Sequence, residues 1–329
     1  MFLVITAMAR PIQSNQVTYK QGIDFILRLC YGKNDADISS SFEQHLDLLL
    51  QSDNNNHHPT NVEAQGQEEG LLACFALCNR IKDPSVQRLQ LKTCQLTERL
   101  IAKHHLKLSD GDLNRLITHH LEIFQGLFST GSEISTHVVF LDAILASLGS
   151  LLFDNGNRVS PEHKDALLGA TPPATPTSAI RVTPFSQLRL ESLDGLLPPL
   201  CSVSCPPSTR LAALKCLRNL TIKGAPVRNA NGANEATPLN PFHATRCYDV
   251  FLHFVLSPTS LPVVGGVVTP PPAPGAVDSV IGYAQRQLTA FQGIENCLLL
   301  NCGVHTDNIG HLMAALKSFM FFGITGSYR

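Results

Sequence analysis

The chain has 329 residues, 44% of them hydrophobic, enough for two ordinary domains or for one extended array. Only 16% are charged, below the roughly 25% usual for soluble domains, which fits a piece of a larger assembly or of a longer polypeptide. With a net charge of −1 and a pI near 6.9, no overall field draws the chain to nucleic acid or to an anionic membrane.

Met1 to Ala9 is apolar and ends in Ala7-Met8-Ala9, but no basic residue precedes the run and it is shorter than a secretion signal. No later stretch supplies the ~20 uninterrupted apolar residues of a membrane span. Residues 1–15 are therefore set aside as an N-terminal segment. Helical periodicity starts in Gln16 to Tyr31, where Ile23, Ile26, Leu27 and Cys30 share a face, and continues in Ser39 to Gln51 with Phe42, Leu46, Leu49 and Leu50. The polar run Ser52 to Gln67 reads as an exposed loop.

Four helices are predicted next. Glu68 to Ile81 carries Leu71, Leu72, Phe75, Ala76 and Leu77, and Asp83 stands as N-cap before Pro84 at the start of a helix to Lys103. On that helix Leu89, Cys94, Leu96, Leu100 and Ile101 form one face, and Arg88, Lys92 and Arg99 the other. Ser109 or Asp110 caps the following helix, whose broad stripe of Leu113, Leu116, Ile117, Leu121, Ile123, Phe124, Leu127 and Phe128 suits packing on more than one side. Ser132 to Phe153 is a further long apolar helix.

From 154 to 184 the texture turns to Gly, Pro, Ser and Thr and predicts a mobile loop. Helices resume at Phe185 to Val203 and Ser208 to Ile222, and insertions at 224–241 and 257–275 flank a helix from Phe242 to Leu256. Val277 to Leu300 and Thr306 to Phe322 close the series. Residues 16–153 and 185–326 are thus two blocks of helical repeats, and no strand hairpin is evident.

One pattern recurs: Pro-x3-Arg-Leu-x4-Cys, in Pro84, Arg88, Leu89 and Cys94 and again in Pro206, Arg210, Leu211 and Cys216. The second copy lies in Cys205 to Leu220, where small Ala212 and Ala213 permit close helix approach and Leu214, Leu217 and Leu220 supply a core. This segment resembles the second helix of a HEAT or armadillo repeat. Together with Asp83 to Leu100, Leu106 to Gly126 and Leu312 to Gly326, it is similar to the N-terminal region of the HEAT repeat-containing protein 6 family, discontinuously from Tyr19 to Gly326. The resemblance implies an all-α, HEAT/armadillo-like α-solenoid with Pro/Gly-rich insertions, the N-terminal part of a longer protein. It brings no reaction and no ligand with it.

Chemistry-bearing residues are sparse. Cys74 with Cys78, and Cys201 with Cys205, stand one helical turn apart, yet no ordered second pair completes a tetrahedral metal site, and the ten cysteines read as core residues of a reducing compartment, cytoplasmic or nuclear. His104-His105 and His119-His120 are adjacent pairs whose members face different ways, with His120 at the edge of the apolar stripe. Gly-x-Ser-x-Gly, P-loop, Gly-x-Gly-x-x-Gly and His-Glu-x-x-His motifs are all missing. Arg210, Lys215, Arg218 and Lys223 give one helix a basic character suited to solvation, to phosphate or to an acidic peptide. Ser160, Thr171, Thr175, Thr183, Thr237, Ser257 and Thr269 each precede a proline and are candidate phosphorylation sites.

The expected function is a non-catalytic scaffold or adaptor that binds another protein, with no catalytic, cofactor-binding or metal-binding residue, no membrane and no small-molecule substrate. A transport or nucleic-acid-associated adaptor is the alternative, and an enzyme without a recognised motif comes third.

Overall fold

The computed structural model describes residues 19–31, 38–51, 61–81, 85–102, 106–129, 137–170, 195–202, 205–222, 239–256, 276–300, 310, 312–314 and 316–317. Among them the chain is all-helical, without a strand. It divides into two compact units, Met1–Lys107 and Leu108–Arg329.

The first unit contains α1 (Tyr19–Tyr31), α2 (Ile38–Gln51), α3 (Asn61–Arg80) and α4 (Val86–Ala102). α1 packs on α2 and on α3, and α4 packs on α2 and on α3, so two helical hairpins lie side by side. Ile23 and Ile26 of α1 meet Phe42, Leu46 and Leu49 of α2, Leu71, Phe75 and Leu77 of α3, and Leu89, Leu96 and Leu100 of α4 in the buried core. Leu27, Cys30, Leu50, Leu72, Ala76 and Ile101, expected among the core residues, are only half-buried.

One expectation changes here. α3 begins at Asn61, so residues 61–67, the last part of the predicted loop Ser52 to Gln67, are helical, and 52–60 lie outside the described residues. Glu, Gln and Ala dominate that stretch, and good helix formers extend a helix without needing an apolar face. The basic face of α4 ties α4 to α2. Arg88 reaches Glu43 at 2.5 Å, Lys92 reaches Glu43 and Asp47 at 2.7 Å each, and Arg99 donates to the Leu50 carbonyl. Burial pulls the Lys92 ammonium pKa down, but its bonds to Asp47 and Glu43 outweigh that and raise it. Asp83, Pro84 and His104-His105 lie outside the described residues.

The second unit contains α5 (Asp110–Ser129), α6 (Val138–Leu152), α7 (Pro161–Leu168), α8 (Leu197–Leu200), α9 (Pro207–Thr221), α10 (Pro241–Leu256) and α11 (Ala276–Leu299). α9 sits centrally, with α6 along one side and α11 along the other, and touches α8 and α10 as well. α10 packs on α11, and α7 joins α5, α8 and α10. Gly293 in α11 leaves the room that the buried Phe251 ring of α10 fills; a Cβ there would stand 2.6 Å from ring Cε1. Ser109 is the cap of α5: its hydroxyl accepts from Asp112 N at 3.1 Å and donates to the Asp112 carboxylate at 2.6 Å.

The predicted mobile loop at 154–184 is corrected over its first half. Phe153 to Arg158 forms turns, with Asn155 N bonded to Leu152 O at 3.1 Å and Arg158 N to Asn155 O at 2.9 Å. Arg158 then clamps the start of α5 through Asp110 Oδ1 at 2.6 Å and the Leu108 carbonyl at 2.5 Å. α7 follows, with Ser160 as N-cap and Pro161 in its first turn, and it buries Leu167 and Leu168. Residues 171–184 lie outside the described part.

The helix expected from Phe185 to Val203 is also corrected. Only Leu197–Leu200 is helical within its described portion, because Gly195 takes a positive φ of 69° and turns the backbone. Residues 185–194, 224–238, 257–275 and most of Thr306 to Phe322 lie outside the described residues, with 310, 312–314 and 316–317 helical.

The recurring Pro-x3-Arg-Leu-x4-Cys pattern does not mark one repeated packing unit. Cys94 and Cys216 are both fully buried, but α4 buries Leu89 and Leu96 where α9 buries Ala213, Leu214 and Leu217. In register, those positions fall on different faces. α4 buries one stripe against α2 and α3, whereas α9 is enclosed by four neighbours.

Candidate functional site

α9 is tied to its neighbours in the second unit by side-chain bonds on two flanks. Thr209 Oγ1 donates to Asp142 at 2.6 Å, Cys216 Sγ donates to the Leu145 carbonyl at 3.1 Å, and Asn219 Nδ2 donates to the Gly149 carbonyl at 2.7 Å, all on α6. The acceptors are three and four residues apart, so they run down one side of that helix. On the opposite flank Arg218 Nη1 donates to Gln292 Oε1 of α11 at 2.9 Å, and Asn296 Nδ2 reaches the Arg218 carbonyl at 3.4 Å. A buried amide such as Asn219 must be fully bonded to be tolerated, and here its Oδ1 also accepts from the Arg218 guanidinium at 3.0 Å. Sequence reading missed Asn219 as a packing determinant; an amide amid Leu217 and Leu220 was the available signal.

The outward side of α9 carries Leu211 and Lys215, with Arg218 at its edge towards α11, spaced three or four residues apart, and Ile222 just past the helix end. Lys215 is exposed and the other three are partly exposed. Arg210 turns towards Cys201 and Cys205, and its buried Nε has no hydrogen-bond partner. Lys223 lies outside the described residues. Desolvation lowers the pKa of both Arg210 and Arg218, and no carboxylate reaches either among the described residues.

The paired thiols are interior groups. Cys78 Sγ lies 3.6 Å from Thr93 Oγ1, and burial pushes its pKa up to about 11. Burial also raises Cys74 and Cys201, and takes Cys216 up to about 12. No disulfide links the described cysteines, and no group of three His, Cys, Asp or Glu side chains among the described residues is arranged to hold a metal ion. A protonated interior thiol is a poor nucleophile. An alkylating reagent at pH 8 is therefore expected to modify half-buried Cys30 first and Cys74, Cys78, Cys201 and Cys216 only as the chain unfolds. Mass mapping that found Cys78 or Cys216 alkylated as fast as Cys30 in the native protein would contradict this.

The histidine pair separates as its spacing predicts. His119 Nδ1 faces Glu122 at 3.1 Å near the surface, while His120 is fully buried between the Leu116 carbonyl at 2.7 Å and Ser147 Oγ at 2.8 Å. His163 joins α5 to α7. Thr118 Oγ1 donates to Asn114 O, so it accepts from His163 Nε2 at 2.8 Å, which leaves Nδ1 to accept from Ser160 Oγ at 2.6 Å. Ser160 is the one Ser/Thr-Pro candidate in the described residues, and its hydroxyl also accepts from His163 N at 3.3 Å. That geometry is a helix cap locked by a ring. The other six candidates lie outside the described residues.

No protein-family model matches the chain, and no solved structure matches it. No helix among the described residues is long and apolar enough to cross a membrane.

Proposed function

We propose that the chain is a non-catalytic α-solenoid scaffold of the HEAT/armadillo type, related to the HEAT repeat-containing protein 6 family, and that it binds another protein on a face built from successive helices. The row α6, α9, α11 carries this reading. Three long helices of the second unit lie in a row, α6 on α9 and α9 on α11, adjoining through side-chain bonds to one another's backbones. Each unit pairs neighbours in this manner, the first as two hairpins side by side. Summed weak contacts along such a row suit a protein partner. Val139 on α6 and Leu288 on α11 are exposed by 75% and 51% and supply apolar contact area.

Proximity labelling in cells tests the reading. The full-length chain is compared with its Val139→Asp/Leu288→Asp variant, with helix content matched by circular dichroism. Neighbours labelled by the intact chain and lost in the variant are the expected result. An identical set of neighbours for both proteins counts against the row of helices as a binding face.

A further inference from the structure

We propose that the outward stripe of α9 is a docking site for an acidic amphipathic segment of the protein partner, which places this inference on the scaffold reading above. Two half-buried cations elsewhere have carboxylates, Lys92 with Glu43 and Asp47 and Arg158 with Asp110, while Arg99 is held by the Leu50 carbonyl. α9 holds no cation that meets a carboxylate among the described residues. Its sequence contains Arg210, Lys215 and Arg218 and no acid. Arg218 is gripped by Asn219 Oδ1 and Gln292 Oε1, both neutral oxygens that fix the guanidinium without cancelling its charge. Lys215 forms no ion pair among the described residues and projects into solvent.

The neighbouring acids do not compensate. Asp142 on α6 accepts from Thr209, Glu295 on α11 is exposed, and neither forms an ion pair with Lys215 or Arg218 among the described residues. Desolvation lowers the Arg218 pKa, as expected for a cation held half out of water without a counter-charge. An incoming carboxylate would supply that charge at a guanidinium already oriented to receive it.

Apolar residues alternate with the cations. Leu211 precedes Lys215 by one turn on α9 and Ile222 follows its last residue, and Val139 and Leu288 are exposed on α6 and α11, the helices packed along α9. A partner helix with leucine-type residues on one edge and carboxylates beside them matches both features. Nucleic acid fits less well. A phosphate backbone gains its affinity from many cations, and two or three interleaved with leucine and isoleucine give a weak electrostatic grip.

The probe is a fluorescein-labelled helical peptide of Leu and Glu, followed by anisotropy against the full chain at low and moderate salt. The same peptide with Lys for Glu, and a single-stranded oligothymidylate, serve as comparison arms. The Leu/Glu peptide is expected to bind best, to weaken with salt, and to lose about tenfold in affinity with Lys215→Glu, whereas Lys107→Glu in the other unit leaves binding unchanged. Arg218→Lys, which keeps the charge and loses the fork, is expected to retain more binding than Arg218→Gln. Equal binding to the native and Lys215→Glu chains, or tighter binding of the Leu/Lys peptide or the oligothymidylate, overturns the proposal. The scaffold reading is judged separately, by the neighbours lost with Val139→Asp/Leu288→Asp.

Discussion

Gly195→Ala is expected to lower the unfolding free energy of the second unit by about 3 kcal/mol, from the left-handed backbone penalty and the overpacking together. The residue sits at φ 69°, where an L side chain is strained whatever the space around it. Space is also missing: a Cβ would press on Gly169 N and Leu168 C and come within 2.9 Å of Leu167 O. All three are backbone atoms at the end of α7, so no rotamer change relieves the contact. Leu196 N is bonded to Ala166 O at 3.1 Å, which holds the two segments together. Gly126→Ala is the opposing control. Nothing lies within 4 Å of a Cβ at this exposed position of α5, so alanine is expected to stabilise by about 0.5–1 kcal/mol. Denaturant midpoints of both variants check the pair. A Gly195→Ala protein as stable as the native chain would show that α7 and the start of α8 do not approach as described.

That position also shows why part of the fold was legible and part was not. Long amphipathic helices announced themselves, and α2, α5, α10 and α11 lie within a few residues of their expected ends. The break before α8 carried a local signal, Asp194-Gly195, but a run of leucines on both sides outweighed it in the periodicity. α7 was hidden in the same way. Ser160-Pro161-Glu162 is a helix start, yet the Thr/Pro-rich stretch after it set the texture of the whole segment.

The candidate face of α9 was half-legible. The charges of Arg210, Lys215 and Arg218 can be read from the sequence, but whether a cation meets a carboxylate depends on residues far away. Arg158 and Asp110, and Lys92 with Glu43, are separated by more than forty positions. No periodicity reports such a pairing, or its lack at α9. The two copies of Pro-x3-Arg-Leu-x4-Cys differ in what they bury for a related reason: residue spacing fixes which side chains share a face, while the packed neighbours decide which face is buried.

The second large effect concerns acid. Between pH 6.5 and 4 the chain is expected to lose up to about 3 kcal/mol of stability through His120 alone, by linkage of its protonation to folding. Burial lowers its pKa to about 4, with the His119 charge adding to the effect and the bond to the Leu116 carbonyl opposing it. A carbonyl only accepts, so Nδ1 carries the proton and Nε2 accepts from the Ser147 hydroxyl. The folded protein therefore holds the neutral ring, whereas the unfolded chain protonates near 6.5. The folded pKa is the lower one. The stabilisation is complete above about 6.5, falls as the unfolded state takes up protons, and levels off below the folded value. Ser147 can rotate to accept from a protonated ring, so the cost of acid is chiefly desolvation of the charge and not a lost hydrogen bond. His163, whose pKa burial also depresses, adds a loss of the same sign. Comparison with His120→Gln isolates the first group, since His163 and every carboxylate remain in both proteins. Urea midpoints across this range are expected to fall more steeply for the native chain than for the variant. Parallel curves would mean that His120 is not the group whose protonation opposes folding.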